Sequence, residues 1–298
     1  MAAVRKQSVG GAVFDVLNIL IIGAFAFICV YPFALGLVVS FSSEGSVIRN
    51  GYTLFPDELT TTAYQTIFSR GSRVLRSYQV SVIVTVVGTI LNVMATSMIA
   101  YVVSNSNVKY RNHLTFFMFF TMVFTGGLAP QYIVWTSLGL RNSYWGMILP
   151  IVVSAWNVFL LRNFFKTVPE SIPESARMDG AGELTILTRL MIPLAVPGIA
   201  TIALFVSIAY WNDFFHAVIL INKPDLYPLQ VLMRQVLSDF LFVAPTGLER
   251  EFVVNQIQPP PEGVRMATMM MTVGPIILVY PFAQRYFVRG IVIGAIKG

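Results

Sequence analysis

The sequence predicts an all-α membrane protein with six transmembrane helices, and three observations carry that prediction. Of 298 residues, 56% are hydrophobic and only 11% are charged, where a soluble domain carries roughly 25% charged residues. Apolar stretches of the roughly 20 residues needed to cross a bilayer begin near Val13, Val80, Leu114, Tyr144, Leu194 and Ala267. Charged residues gather between these runs, as in ESARMDGAGELTILTRLMIP from Glu174 to Pro193.

The first element, residues 1–41, opens with Arg5 and Lys6 ahead of an apolar run that continues to Phe41. That is longer than the roughly 7 to 15 apolar residues of a signal peptide, so the segment reads as an uncleaved anchor and first helix, with a break or kink at Tyr31-Pro32. Cys29, the only cysteine, falls inside it and reads as a small buried hydrophobe. With one cysteine and two histidines, His113 and His216, in different segments, the chain offers no disulfide and no metal site. It also has no G-x-x-x-x-G-K-[ST] run for binding ATP.

Residues 42–76 form a first loop on the side opposite the termini. The second helix then carries Ser81, Thr85, Gly88, Asn92 and Thr96 at spacings of three and four, which places them on one face. Such a face permits close helix packing and interhelical hydrogen bonds, and it would equally suit a wet pathway. Asn157 in the fourth helix joins Asn92 as a pathway candidate. The fifth helix ends in Trp211, Asn212, Asp213 and His216. An ionisable residue inside a membrane is by default a functional hypothesis, although Asn212 lies about 29 Å beyond Pro193 at 1.5 Å per residue, near the far boundary. Trp211 then reads as an interfacial anchor, and Asp213 with His216 as a local i, i+3 pair. Met269, Met270 and Met271 in the sixth helix read as adaptable packing residues.

Residues 222–265 contain Pro224, Pro228, Pro245, Pro259, Pro260 and Pro261 and read as an ordered loop. Six spans place both termini on one side. Lys and Arg mark the cytoplasmic side, and they slightly favour cytoplasmic termini: Arg5, Lys6, Lys109, Arg111, Arg162, Lys166, Arg177, Arg189, Arg285, Arg289 and Lys297 lie there, and the remaining 9 of the 20 basic residues, including the cluster Arg70, Arg73 and Arg76, lie opposite. The transmembrane core is thus residues 77–290, the tail residues 291–298, and the segment 167–193 is cytoplasmic.

Within that segment Thr167-Val-Pro-Glu170 and Ser171-Ile-Pro-Glu174 are successive capping-box patterns, each with its proline in a first helical turn. About two turns later Gly180 and Gly182 permit the positive φ of a C-cap. Glu174 and Arg177 are spaced to pair at i, i+3. A helix this short is marginal alone in water and needs a packing partner.

The pattern Glu174-Ser-Ala176-Arg-Met-Asp179-Gly180-Ala181, followed by Leu190-Met-Ile-Pro193, resembles the EAA motif of membrane subunits of binding-protein-dependent ABC importers. Ser175 replaces an alanine, Leu190 an isoleucine and Ile192 a leucine. Arg76-Ser77, Trp211-Asn212-Asp213 and the tail YPFAQRYFVRGIVIGAIKG extend the likeness to the shorter, MalG-like partner of sugar importers, in the branch for complex or uronate oligosaccharides such as alginate. The resemblance implies a type I importer permease fold with a cytoplasmic coupling helix. It also implies a non-enzymatic multi-pass subunit of the bacterial inner membrane. The expected partners are a second homologous permease, two ATPase subunits and an extracytoplasmic solute-binding protein, with ATP and Mg held by the ATPase partners and no cofactor in this chain.

Carried onto these residues, the resemblance makes Glu174, Ala176, Asp179, Gly180, Ala181 and Pro193 the ATPase-coupling set. Glu174 would pair with a basic residue of the ATPase, Ala176 and Ala181 would allow its close approach, and Gly180 would let the short helix move as one piece with the fifth span. Asn92, Asn157, Trp211, Asn212 and Asp213 are the candidate pathway residues. Residues 222–265, with Pro245, Thr246 and Gly247, would contact the binding protein. The competing class, an ion-coupled secondary transporter, should show buried acids and an inverted repeat; Asp213 is its sole acid candidate in the last five spans.

Overall fold

The computed structural model describes residues 9–68, 72–239 and 262–277. These are helical throughout apart from loops and one isolated antiparallel bridge, Ser42 to Leu59. The chain divides into two compact units, residues 1–70 with 236–273 and residues 71–235 with 274–298.

In the first unit, α1 (Val9–Ser40) is one continuous helix. Pro32 lies inside it without ending it, so the expected interruption at Tyr31-Pro32 is not a break in the helix. Residues from Val13 to Pro32 are exposed on every side. Cys29 is among them, not buried as the sequence suggests. An apolar helix exposed all round has its solvent in lipid or in another membrane helix. Beyond it, α2 (Glu44–Asn50) starts at Ser43, whose Oγ accepts a hydrogen bond from the Ser46 backbone, and α3 (Thr62–Phe68) follows. Val39, Val47, Ala63 and Ile67 are buried, as are Val264 and Ala267 of the helix over residues 262–277, whose Gly263 lies against Ala63 and the Val39 carbonyl. Gly36 permits the close approach there: a Cβ on it would lie 2.7 Å from Met269 Cε and 3.0 Å from Met270 Cε. The methionines act as the packing residues expected of them.

The second unit is organised on α4 (Ser72–Ser104), an unbroken helix of 33 residues. At 1.5 Å per residue it is about 50 Å long, enough to cross the bilayer and project beyond it. The next three apolar stretches are each broken. Helix α5 (Arg111–Val123) meets α6 (Leu128–Ser137) at 116°, across Gly126 and Gly127, the latter with φ +85°. Helix α7 (Trp145–Ile148), extended by a 3₁₀ turn to Ile151, meets α8 (Ala155–Phe165) at 55°. The run from Glu183 to Leu194 meets α12 (Val196–Asn212) at 86°. Between these lie α9 (Ser171–Met178), α10 (Glu183–Ile186), a π-helical turn over Leu187–Met191 and α11 (Ile192–Leu194). Helix α13 (Phe215–Leu220) and α14 (Leu229–Asp239) complete the described part. Two unbroken helices and three bent pairs therefore account for five of the six expected spans. The sixth expected span begins within the helix over residues 262–277, and the rest of it lies outside the described residues.

The polar face of α4 is used for packing inside this unit. The Leu229 backbone donates to Ser81 Oγ at 2.8 Å, Asn92 Nδ2 donates to the Ile151 carbonyl at 3.0 Å, and Thr96 Oγ1 donates to Asn92 Oδ1 at 3.1 Å. Gly88 lies against the ring of Tyr210 on α12, and the Tyr210 hydroxyl donates to the Ile148 carbonyl at 2.9 Å. On the other side Gly198 of α12 sits against Phe164 of α8. Small residues bring backbones together where lipid supplies no hydrophobic drive between helices. Replacing Asn92 by alanine is expected to destabilise the detergent-purified protein by about 1–2 kcal/mol, the upper range for an interhelical hydrogen bond in a membrane. A thermal melt unchanged in that variant would remove the bond from the stabilising set.

Candidate functional site

The segment 167–193 is built from α9 and the turn that follows it. Helix α9 is only eight residues long, and its N-terminus does not use the capping boxes that the sequence suggests. Its N-cap position is Glu170, with helical backbone angles and no side-chain cap, while Thr167 Oγ1 donates to the Phe164 carbonyl at 2.7 Å. The pattern fails because Thr167 lies in the turn leaving α8, so its hydroxyl satisfies the end of that helix and is not available to start the next. Pro173 does sit in the first turn, where no donor is missed.

At the other end the local chemistry follows the sequence closely. Gly180 has φ +82°, its amide donates to the Arg177 carbonyl at 3.0 Å, and the Ala181 amide donates to the Ala176 carbonyl at 2.9 Å. That pair of bonds is a Schellman closure, which needs a left-handed residue where glycine costs least. Gly182 differs from expectation: its φ is −70° and ψ 153°, so it is an extended N-cap for α10 and not a second left-handed residue. Ala176 and Ala181, brought together by the closure, pack half-buried against the core of the second unit. Their small side chains are thus engaged within this chain.

Arg177 does not pair with Glu174. Its Nε donates to Glu183 Oε1 at 2.7 Å, its Nη2 reaches Glu183 Oε2 and the Tyr101 hydroxyl at 3.4 Å each, and the Tyr101 hydroxyl also donates to Glu183 Oε2. The Schellman turn reverses the chain and swings Glu183 under the guanidinium, which defeats the i, i+3 reading. The hydrogen bonds from Arg177 first, and then from Tyr101, hold the Glu183 carboxyl below its usual range. Sequence reasoning missed Tyr101 and Glu183. The available signal was an acid in the first turn of α10 and a tyrosine in the last turns of a long helix, neither informative without the turn that joins them.

Glu174 is left exposed, and no side-chain partner for it exists among the described residues. It borders a cavity of about 510 Å³ whose other walls include Asn105, Arg111, Lys166, Glu170 and Arg177. Asp179, the C-cap residue, is exposed as well, as is Met178 at 88%. An eight-residue helix that shows a methionine and two unengaged carboxylates has a face to be covered.

Pro193 lies in α11, directly after the π-helical turn in which the Ile192 amide bonds to the Leu187 carbonyl five residues back. Pro193 lacks the amide that a regular helix would aim at residue 189, and Pro197 cannot continue a helix past residue 193 without a steric clash. The 86° bend at Ala195 follows. The short helix and the fifth span therefore do not form one straight rod.

At the far end of α12, Trp211 is buried at 8% and its ring lies 6.5 Å from that of Tyr78. Asn212 ends the helix and donates to the Ile208 carbonyl. Asp213 forms the expected pair with His216, at 2.9 and 3.0 Å from its Nδ1, and it also receives the His216 amide at the start of α13. The edge of Trp135 packs on that imidazole with ring centres 5.2 Å apart. This arrangement fixes the joint between α12 and α13. Asn92 and Asn157 are 1% and 8% exposed, so both lie inside the bundle of this chain, while Trp145 and Trp156 are exposed. Pro245, Thr246 and Gly247, and the tail 291–298, lie outside the described residues.

Comparison with known proteins converges on one group. The family model described as binding-protein-dependent transport system inner membrane component matches residues 1–293. Protein LplC of Bacillus subtilis is 40% identical, over 97% of this chain and 96% of that protein. The polygalacturonan/rhamnogalacturonan transport system permease protein YtcP of the same bacterium is 38% identical, over 96% and 98%. A chain in the crystal structure of a bacterial ABC transporter involved in the import of the acidic polysaccharide alginate superposes with a TM-score of 0.80 at 30% identity. The match covers 95% of this chain and 99% of that one.

Proposed function

The chain belongs to the family of binding-protein-dependent transport system inner membrane components, and from that premise we propose that it carries a uronate-containing oligosaccharide across the membrane. It is a membrane-embedded, multi-pass permease subunit of an ABC importer, and ATP hydrolysis belongs to partner subunits. Two similar proteins are named for polygalacturonan/rhamnogalacturonan and for alginate, and both names denote polysaccharides that contain acidic sugars. That shared chemistry supports an acidic substrate over a neutral one. The ion-coupled alternative gains nothing from the family, and its one candidate acid, Asp213, is already engaged with His216.

The observation that carries the mechanism is the exposed α9 with its Schellman-closed end. In this reading α9 is the coupling helix: Met178 and Glu174 meet an ATPase subunit, with Glu174 offered to a basic residue and Asp179 beside it. Gly180 shapes the turn, and Pro193 marks where the segment enters the membrane. Closure of two ATPase subunits on ATP and Mg draws α9 towards its counterpart on a second permease and opens the shared pathway outward. That is a two-state switch biased by its partners. The termini lie in the cytoplasm, and residues 222–265, including Pro245, Thr246 and Gly247, receive the solute-binding protein. Trp211, Asn212 and Asp213 border the outer end of the pathway, and Asn92 and Asn157 support it from within the bundle.

The test is purification of the complex from native membranes, then reconstitution with its solute-binding protein and ATP. Uptake of galacturonate or mannuronate oligomers in preference to neutral oligomers of equal length is expected. A native complex without an ATPase subunit would refute the importer reading, and uptake of neutral oligomers alone would refute the substrate.

A further inference from the structure

We infer that the Tyr101–Arg177–Glu183 cluster is a strut that carries the displacement of α9 into α4, making Tyr101 and Glu183 positioning residues for energy coupling. The inference rests on α9 being the helix the ATPase moves. Two routes lead from α9 into the membrane. The covalent route passes through α10, a π-helical turn and α11, and then bends by 86° at Ala195 before α12 begins. A π-helical turn followed by a sharp proline-linked bend is a place where a helix flexes, so a push on α9 is partly absorbed there.

The second route runs through space and contains no such joint. The Schellman closure folds Gly180 and Ala181 back onto α9 by two backbone bonds, and Arg177 on α9 grips Glu183, the first residue of α10, with its Nε at 2.7 Å. Both meet the hydroxyl of Tyr101. Tyr101 is only 7% exposed, and its ring is held edge-on by Phe165 of α8 with centres 6.4 Å apart. Two residues further along α4, the Val103 carbonyl accepts a bond from Arg162 Nε at 3.1 Å, so this end of α4 is also braced against α8.

From Tyr101 the helix continues without a break to Ser72. On the way it presents Asn92 to the turn after α7 and Gly88 to Tyr210 of α12. A rigid element with packed neighbours is what transmits a small shift over such a distance. In this geometry α4 acts as the lever, and α12 follows it by side-chain contact at Gly88.

The experiment uses the full reconstituted complex and reads three quantities: subunit assembly, ATP hydrolysed, and oligosaccharide transported per ATP. Tyr101→Phe keeps the ring and its packing on Phe165 and removes only the hydroxyl; Glu183→Gln keeps the shape and removes the charge. Both are expected to assemble and to hydrolyse ATP. Transport per ATP should fall about 2- to 30-fold, the range for residues on a coupling route. The exchange Arg177→Glu with Glu183→Arg restores an ion pair at the same place and should recover most of that ratio. A ratio unchanged in Tyr101→Phe and Glu183→Gln overturns the strut, and so does a loss explained by failed assembly. If the wild-type complex couples no ATP to uptake, it is the importer reading that fails, not this one.

Discussion

Replacing Gly180 by valine is expected to leave the subunit in the membrane while binding-protein-stimulated ATP hydrolysis collapses. No atom lies within 4 Å of a Cβ built on Gly180, so the substitution meets no obstacle. The cost lies wholly in the backbone, because φ is +82° and a β-branched residue resists the left-handed region. Strain of about 1–3 kcal/mol would shift the population of the closed turn by about 5- to 150-fold, by the ordinary conversion of coupling energies. Asparagine tolerates the left-handed conformation far better, so Gly180→Asn should keep most of the activity. Equal activity in the valine and asparagine variants would show that the turn has no part in coupling. The control is membrane abundance, which the substitution should hardly change, because the residue is exposed.

The second large effect lies deep in the bundle. A Cβ on Gly88 would stand 2.5 Å from Tyr210 Cζ and 2.7 Å from Cε1 and Cε2. The ring cannot retreat without breaking the bond from its hydroxyl to the Ile148 carbonyl at 2.9 Å, and Tyr210 is 3% exposed. Gly88→Ala should therefore separate α4 from α12 and destabilise the purified protein by about 1–3 kcal/mol, as overpacking does. Gly88→Ala combined with Tyr210→Leu removes the ring that is struck and should recover part of the loss. A double variant less stable than the sum of the two single variants would refute this account.

The two glycines differ in what made them legible. Gly180 was visible in the sequence, because a glycine two turns after a Ser-x-Pro-Glu start predicts its own conformation from local rules alone. Gly88 was visible only as one member of a small and polar face at helical spacing, with packing and a wet pathway equally open. Tyr210 lies 122 residues away in sequence, and no local pattern names it as the partner. The same limit explains the failed capping boxes. Thr167 fits the pattern, but it spends its hydroxyl on α8, whose end the pattern does not contain.

The sequence by itself determined the class of this protein and set apart the segment from Glu174 to Pro193. Hydrophobic runs of bilayer length, the scarcity of charge and the spacing from Glu174 to Pro193 are all properties of neighbours along the chain, and lipid enforces helices on such runs wherever they pack. Only the tertiary structure decided how that segment is held. It turned Arg177 away from Glu174 and onto Glu183 and Tyr101, and it folded Ala176 and Ala181 inward. Each of these depends on residues brought together by a turn or by a facing helix. Hydrogen bonds and close packing are short-ranged, so such partners are set by position in space and not by separation in sequence.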